Sequence, residues 1–204
     1  MKLKIIVLVG LPLSGKTTYA KKLGPKYNMP LYETGEVVLE EVTKRGLDFT
    51  PENIKKVTDE CKKISDSYFT ERLIEKIKEL SSDVPGVFIS GIRAISEVEV
   101  LKRYFGHENV FVIAFHASMH TRFNRLQNPD RMSETKGAKA REDELLRNFD
   151  NFVIRNKKEL GYGVGNVIAT ADYLINTENE KWPYSSVEKN TKIFEIIIRE
   201  ILGL

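Results

Sequence analysis

Apolar positions run along this chain in two rhythms. Ile5, Ile6, Val7, Leu8 and Val9 form an unbroken apolar run closed by Gly10. A strand covered on both faces reads this way, and the interior of a parallel sheet is its usual home. The same texture returns at Val87-Phe88-Ile89, at Val110-Phe111-Val112-Ile113-Ala114-Phe115 and at Tyr173-Leu174-Ile175, with a shorter candidate at Leu31-Tyr32. Elsewhere the apolar spacing lengthens to three and four. Thr50-Pro51 is a helix-start signal, a capping side chain followed by proline at the first helical position. Behind it Ile54, Val57, Cys61, Ile64 and Tyr68 make one stripe. Ile74, Ile77 and Leu80 continue it, with Ser65-Asp66-Ser67 placed to bend or divide the helix. Ser96 and Glu99 have capping-box spacing ahead of Val100, Leu101 and Tyr104. The apolar pattern from Val187 to Leu202 predicts a last helix folded back on the sheet.

Five short strands alternating with helices predict an α/β domain with crossover connections. No repeat, low-complexity tract or linker divides it, so one domain over residues 1–204 is expected. The polar stretch from Gln127 to Lys139, with Pro129 and Gly137, interrupts the rhythm and is expected to form a loop or lid. Composition narrows the class without giving a function. Hydrophobic residues at 41% and charged residues at 30% describe a soluble globular chain. The longest apolar run, Ile5 to Leu13, is about half of what a bilayer needs, so no membrane partner is expected. The single cysteine precludes an intramolecular disulfide and suits a reducing cytoplasm, and its place on the helical stripe reads as burial. Thirty-two basic against 29 acidic side chains give a net charge of +3, no case for a general nucleic-acid binder. The lysine pairs at 21–22, 55–56, 62–63 and 157–158 lie among acids and read as solvated helix faces. His107, His116 and His120 lack metal-site spacing, and Gly161-Tyr162-Gly163-Val164-Gly165 lacks the preceding strand of a dinucleotide fingerprint. A connection or helix start is the expectation there.

The first strand changes the picture, because it runs into Gly10-Leu11-Pro12-Leu13-Ser14-Gly15-Lys16-Thr17, a match to G-x-x-x-x-G-K-[ST], followed by Thr18 and a helical segment. In such a loop successive N–H groups point inward around phosphate oxygens. Gly15 lets the backbone approach the anion, and the following helix adds its positive end. Lys16 is the candidate for the β- and γ-phosphates and Thr17 for Mg²⁺. The loop predicts a nucleotide-binding P-loop fold: a five-stranded parallel sheet with helices on both faces and a small lid. ATP and Mg²⁺ are the expected cofactors.

Further segments follow in order: Glu33-Thr34-Gly35-Glu36-Val37-Val38 after the second strand, then Ser90-Gly91-Ile92-Arg93 with Ser96-Glu97-Val98-Glu99 after the third. His116-Ala117-Ser118 with Arg122, Arg125 and Arg131 follows the fourth, and Arg155-Asn156, Glu159-Leu160-Gly161 and residues 167–172 complete the series. This ordered set, over residues 3 to about 177, resembles nucleoside monophosphate kinases of the adenylate kinase type, and within them an archaeal adenylate-kinase-like P-loop family. The resemblance implies that Thr34, Gly35 and Arg93 border the acceptor, that residues 35–81 form an acceptor-side helical lobe, and that 127–139 form the lid. It implies an uncharged Mg²⁺ ligand at Ser90, where the family usually carries aspartate, and Leu39 stands where the family tends to carry arginine.

Phosphoryl transfer needs positive charge around the moving group, and arginine presents a permanent planar fork to phosphate. Lys16, Arg93, Arg122 and Arg131 are therefore the candidate catalytic residues, with Arg125 and Arg155 as further phosphate candidates. Gly10, Leu11, Pro12, Leu13, Ser14, Gly15, Lys16, Thr17 and Thr18 are the nucleotide-binding set, and Asn176-Thr177 could line the adenine pocket. The expected function is transfer of the ATP γ-phosphate to a nucleotide or related small phosphorylated acceptor. Two alternatives stand beside it: a slow ATPase switch, motivated by Leu39, and a nucleotide-binding protein without catalysis, motivated by Ser90. No oligomeric state is assigned.

Overall fold

The computed structural model describes residues 2–129, 137–178 and 187–204. Five strands, β1 (Lys4–Val9), β2 (Leu31–Glu33), β3 (Gly86–Ser90), β4 (Val110–His116) and β5 (Tyr173–Asn176), form one parallel sheet in the order β2-β3-β1-β4-β5. From the central strand β1 the chain moves to one side for β2 and β3 and to the other for β4 and β5. That reversal opens a crevice beyond the carboxyl end of β1, where open α/β sheets take their ligands.

Alternation along β1 shows why the run is apolar throughout. Ile5, Val7 and Val9 face a core shared with α2 (Thr34–Lys44), α3 (Pro51–Ile64), α4 (Tyr68–Lys78), α5 (Ile95–Phe105) and α9 (Val164–Ala169). Ile6 and Leu8 face a second core built with α1 (Lys16–Leu23) and α10 (Val187–Leu202). Every β1 residue from Ile5 onward is 1% exposed or less, as a strand with helices on both faces requires. A third, smaller cluster of Leu126, Leu146 and Phe152 lies between α6 (Met119–Asn124), α7 (Gly137–Leu146) and α8 (Phe149–Gly161), with Leu13 and Phe123 packed on it. No helix among the described residues is long and apolar enough to cross a membrane.

Three local expectations are sharpened. The segment Ser65-Asp66-Ser67 divides the predicted long helix, and Thr50 caps α3 by accepting from the Asn53 amide at 3.2 Å. Ile64, counted in the apolar stripe, is exposed because α3 ends there, whereas Cys61 is fully buried. The α5 cap lies earlier than Ser96: the Glu97 carboxylate accepts from the Arg93 and Ala94 amides at 2.8 and 3.0 Å, and its other oxygen from the Thr70 hydroxyl at 3.1 Å. Glu97, not Glu99, therefore satisfies the open amides of the helix start. Of the expected lid, residues 130–136, including Arg131, lie outside the described residues; α7 begins at Gly137.

Candidate phosphate site

The loop between β1 and α1 is shaped by three residues with positive φ: Gly10 at 153°, Leu13 at 67° and Gly15 at 93°. A Cβ on Gly10 would lie 2.4 Å from the Ser14 hydroxyl and 2.5 Å from the Phe115 carbonyl, so the start of the loop leaves no room for a side chain. Gly15 caps α1 in the left-handed conformation that glycine adopts without penalty. Leu13 adopts it against its preference, at a cost of order 1–3 kcal/mol. Its side chain packs on the Leu126–Leu146–Phe152 cluster, and its carbonyl accepts from Arg125 Nη1 at 2.8 Å. Packing and hydrogen bonding thus hold a conformation the isolated chain would avoid.

The loop is braced from behind. Arg125 also donates to the Thr177 carbonyl. The Thr177 hydroxyl donates to the Ser14 carbonyl at 2.7 Å and contacts the His116 carbonyl at 3.0 Å. Arg122, 2% exposed, donates to the Pro12 carbonyl at 3.1 Å, the Ala117 carbonyl at 3.1 Å and Asn156 Oδ1 at 2.6 Å. Burial and the neighbouring Arg125 charge pull its pKa down to about 10, so it is still a cation at neutral pH. Carbonyls turned outward onto arginines are the counterpart of amides turned inward toward an anion. Arg122 and Arg125 therefore support the backbone of the loop, and Thr177 ties it to the end of β5.

Lys16 and Thr17 open α1 half-buried and Thr18 is exposed, while Leu11 and Pro12 are half-buried in the loop. The Ser14 hydroxyl is buried and has no hydrogen-bond partner among the described residues. A close-packed loop with three left-handed residues and an unsatisfied hydroxyl fits a triphosphate, whose oxygens would occupy the cradle. No group of three or more metal-ligating side chains occurs among the described residues. Thr17 and Ser90, which is buried at the end of β3 beside Leu8 and Glu33, offer hydroxyls only. Such a donor set fits Mg²⁺ arriving on the phosphates with its waters rather than a resident ion.

On the other side of β1, Gly91 has φ +97° and a Cβ there would come within 2.2 Å of the Thr34 hydroxyl. Thr34 begins α2 and is buried, its hydroxyl unsatisfied among the described residues; a Cβ on Gly35 would meet open space. Arg93 donates through Nε to Glu159 at 2.7 Å. The other Glu159 oxygen pairs with Arg155 at 3.0 Å, and Arg155 also reaches Glu142 of α7 at 3.1 Å. Two arginines thus share one buried carboxylate. The structure brings Arg122 to the loop and places Arg93 in a separate network, and α8 joins the two by presenting Asn156 to one and Glu159 to the other. Spacing of three residues puts both on one helix face; both stand in the ordered series of the sequence, which gives them no partner. Arg125 and Thr177 as loop braces had no local signal, because their partners are more than 50 residues away.

Residues 9–147 match a family described as an AAA domain. A UPF0200 protein of Thermococcus sibiricus is 35% identical over 181 residues, covering 88% of this chain and 89% of the relative. Among solved structures, TT1252 from Thermus thermophilus superposes with a TM-score of 0.58 at 12% identity, covering 98% of each chain. Shikimate kinase from Acinetobacter baumannii, in complex with shikimate, superposes with a TM-score of 0.51 at 19% identity, covering 97% of this chain and 94% of the other. These two similarities establish a kinase-like P-loop fold.

Proposed function

The chain belongs to the UPF0200 family and contains an AAA domain, and we propose that it is an ATP- and Mg²⁺-dependent kinase acting on a nucleotide or a related small phosphorylated molecule. The observation that carries the proposal is the braced loop Gly10–Thr17, with left-handed Gly10, Leu13 and Gly15, at the carboxyl end of the central strand. When bound, ATP supplies the transferable phosphoryl group and Mg²⁺ neutralises its charge. The loop Gly10–Thr18 would hold the phosphates through Lys16 and those of its N–H groups not already bonded within the loop, Pro12 having none, and Thr17 and Ser90 would offer hydroxyls to the cation. Thr34 and Gly35, with Arg93 opposite, border the acceptor, so α2, α3 and α4 act as the acceptor-side lobe. Arg93 is held for that task by Glu159, and Arg122 keeps the loop in shape while adding positive charge behind it. Arg131 belongs to the lid in this reading.

A panel of nucleoside monophosphates and dephospho-coenzyme A tests the proposal through ADP formation. Acceptor-dependent ADP production, lost in Lys16→Ala, is the expected result. ADP formed at a rate that no acceptor raises would instead favour a slow ATPase. Hydroxyl-only donors at the cation support a second reading, nucleotide binding without turnover. Under it wild type is inert and Ser90→Asp gains activity; measurable wild-type turnover excludes it.

A further inference from the structure

Tyr162, just past the end of α8, lies beneath three cations from three parts of the fold. Lys62 of α3 stands 5.3 Å from its ring centroid, Arg93 of the loop after β3 5.7 Å, and Lys158 of α8 5.9 Å. The nearby acids are already engaged. Asp59 pairs with Lys55, itself within the electrostatic reach of Tyr162, and feels Lys62 and Lys63 at longer range, while Glu159 pairs with Arg93 and Arg155. Lys62 and Lys158 form no ion pair among the described residues. Chain order hid this, since each belongs to a lysine pair flanked by acids; folding brings one member of each pair to the same exposed ring, while Lys63 and Lys157, equally exposed, make no cation–π contact with it. Cation–π attraction, about 0.5–1 kcal/mol per exposed contact, orders the lysines over the ring, but like charges gathered this way still repel. The ammonium groups of Lys62 and Lys158, set beside the Arg93 guanidinium, match a phosphomonoester, which carries about −1.5 to −2 charges at neutral pH.

We propose that Lys62, Lys158 and Arg93, gathered by Tyr162, form the anchor for a phosphomonoester dianion on the acceptor. The proposal deepens the kinase reading and rests on it. It also accounts for Leu39: the positive charge that the resemblance implies on α2 is supplied here from α3, α8 and the loop after β3. Tyr162 is a positioning residue, acting through the cations it orders.

Calorimetric titration of the full chain with AMP tests the anchor, with the P-loop saturated by a non-hydrolysable ATP analogue and with adenosine and inorganic phosphate as comparison probes. Wild type is expected to bind AMP more tightly than either comparison probe. Lys62→Met/Lys158→Met should lose at least about tenfold in AMP affinity while adenosine binding is unchanged, as two charge-assisted contacts to phosphate imply. Tyr162→Leu should lose part of that affinity. The control pair Lys63→Met/Lys157→Met should change it by less than about twofold, as solvated charges do. Undiminished AMP binding in Lys62→Met/Lys158→Met, an equal loss in the control pair, or wild-type AMP binding no better than that of adenosine or inorganic phosphate would overturn the proposal. The readout is binding, so failure of the kinase reading, seen as acceptor-independent ADP formation, is distinguishable from failure of the anchor.

Discussion

Leu13 shows what the motif pattern leaves unsaid. Its position is one of the free letters of the P-loop signature, yet it holds a left-handed conformation and fills a gap against Leu126 and Phe152. The signature records what the phosphate touches; the residues that hold the loop in shape lie far along the chain. Thr177 is the clearest of them, since its hydroxyl joins the Ser14 and His116 carbonyls. Thr177→Val keeps the shape and deletes the hydroxyl, leaving the Ser14 carbonyl short of a donor while the His116 carbonyl keeps the Thr177 amide at 2.7 Å. The expected result is a stability loss of about 1–3 kcal/mol in urea unfolding, together with weaker ATP binding. Unchanged ATP affinity would separate Thr177 from the loop. Cys61 makes a different residue-scale prediction. Burial pushes its thiol pKa up, despite the Arg45 guanidinium donating to sulfur at 3.3 Å. A thiol reagent at mildly alkaline pH should therefore label the native protein far more slowly than the unfolded chain. The sign follows: the stability contributed by the neutral thiol is complete below its ordinary pKa and is lost as pH rises toward the raised one.

At the scale of elements, periodicity carried the most information where burial was two-sided or continuous. The strands and the last helix are legible because each turns apolar side chains toward a core, but β5 is covered on one face only: Tyr173 and Ile175 pack there, whereas Leu174, expected to be covered too, is 60% exposed. The start of α5 was misplaced because Ser96 and Glu99 have the same spacing as a cap, while the amides available for capping are those of Arg93 and Ala94. Only the approach of Glu97 in three dimensions decides between them. The closing helix α10 has a structural consequence for the site. Phe194 is fully buried and packs on Phe88 and Phe115, with ring centroids 5.6 and 5.4 Å away, and on Tyr19 of α1 at 6.5 Å. Phe194→Ala is expected to cost about 3–5 kcal/mol. The loss reaches α1, whose first residues hold the phosphate in the proposed function. Urea unfolding checks the first part. A lowered ATP affinity under conditions where the variant is still folded checks the second, and full affinity there would show that α10 only stabilises.

For the whole molecule, a net charge of +3 from 32 bases and 29 acids conceals strong local order. Arg122 and Arg125 lie behind the loop, Arg93 and Arg155 converge on Glu159, and Lys62 and Lys158 meet at Tyr162. In the sequence the arginines stand out as a group, because arginine suits phosphate, but nothing local divides them by task. Partners such as Pro12 with Arg122 lie 110 residues apart, and no local rule links them. The fold was legible for the opposite reason: strand texture, helix period and the loop motif are all local, and the parallel order follows once they alternate.

Everything proposed for the site depends on the loop holding a nucleotide, and calorimetric titration of Mg²⁺–ATP into wild type and Lys16→Ala tests this most directly. The account predicts one ATP per chain in wild type and an affinity lower by at least about tenfold in the variant, the loss of one strong charge-assisted contact to phosphate. Equal ATP affinity in the two proteins, or no ATP binding by folded wild type, would contradict it.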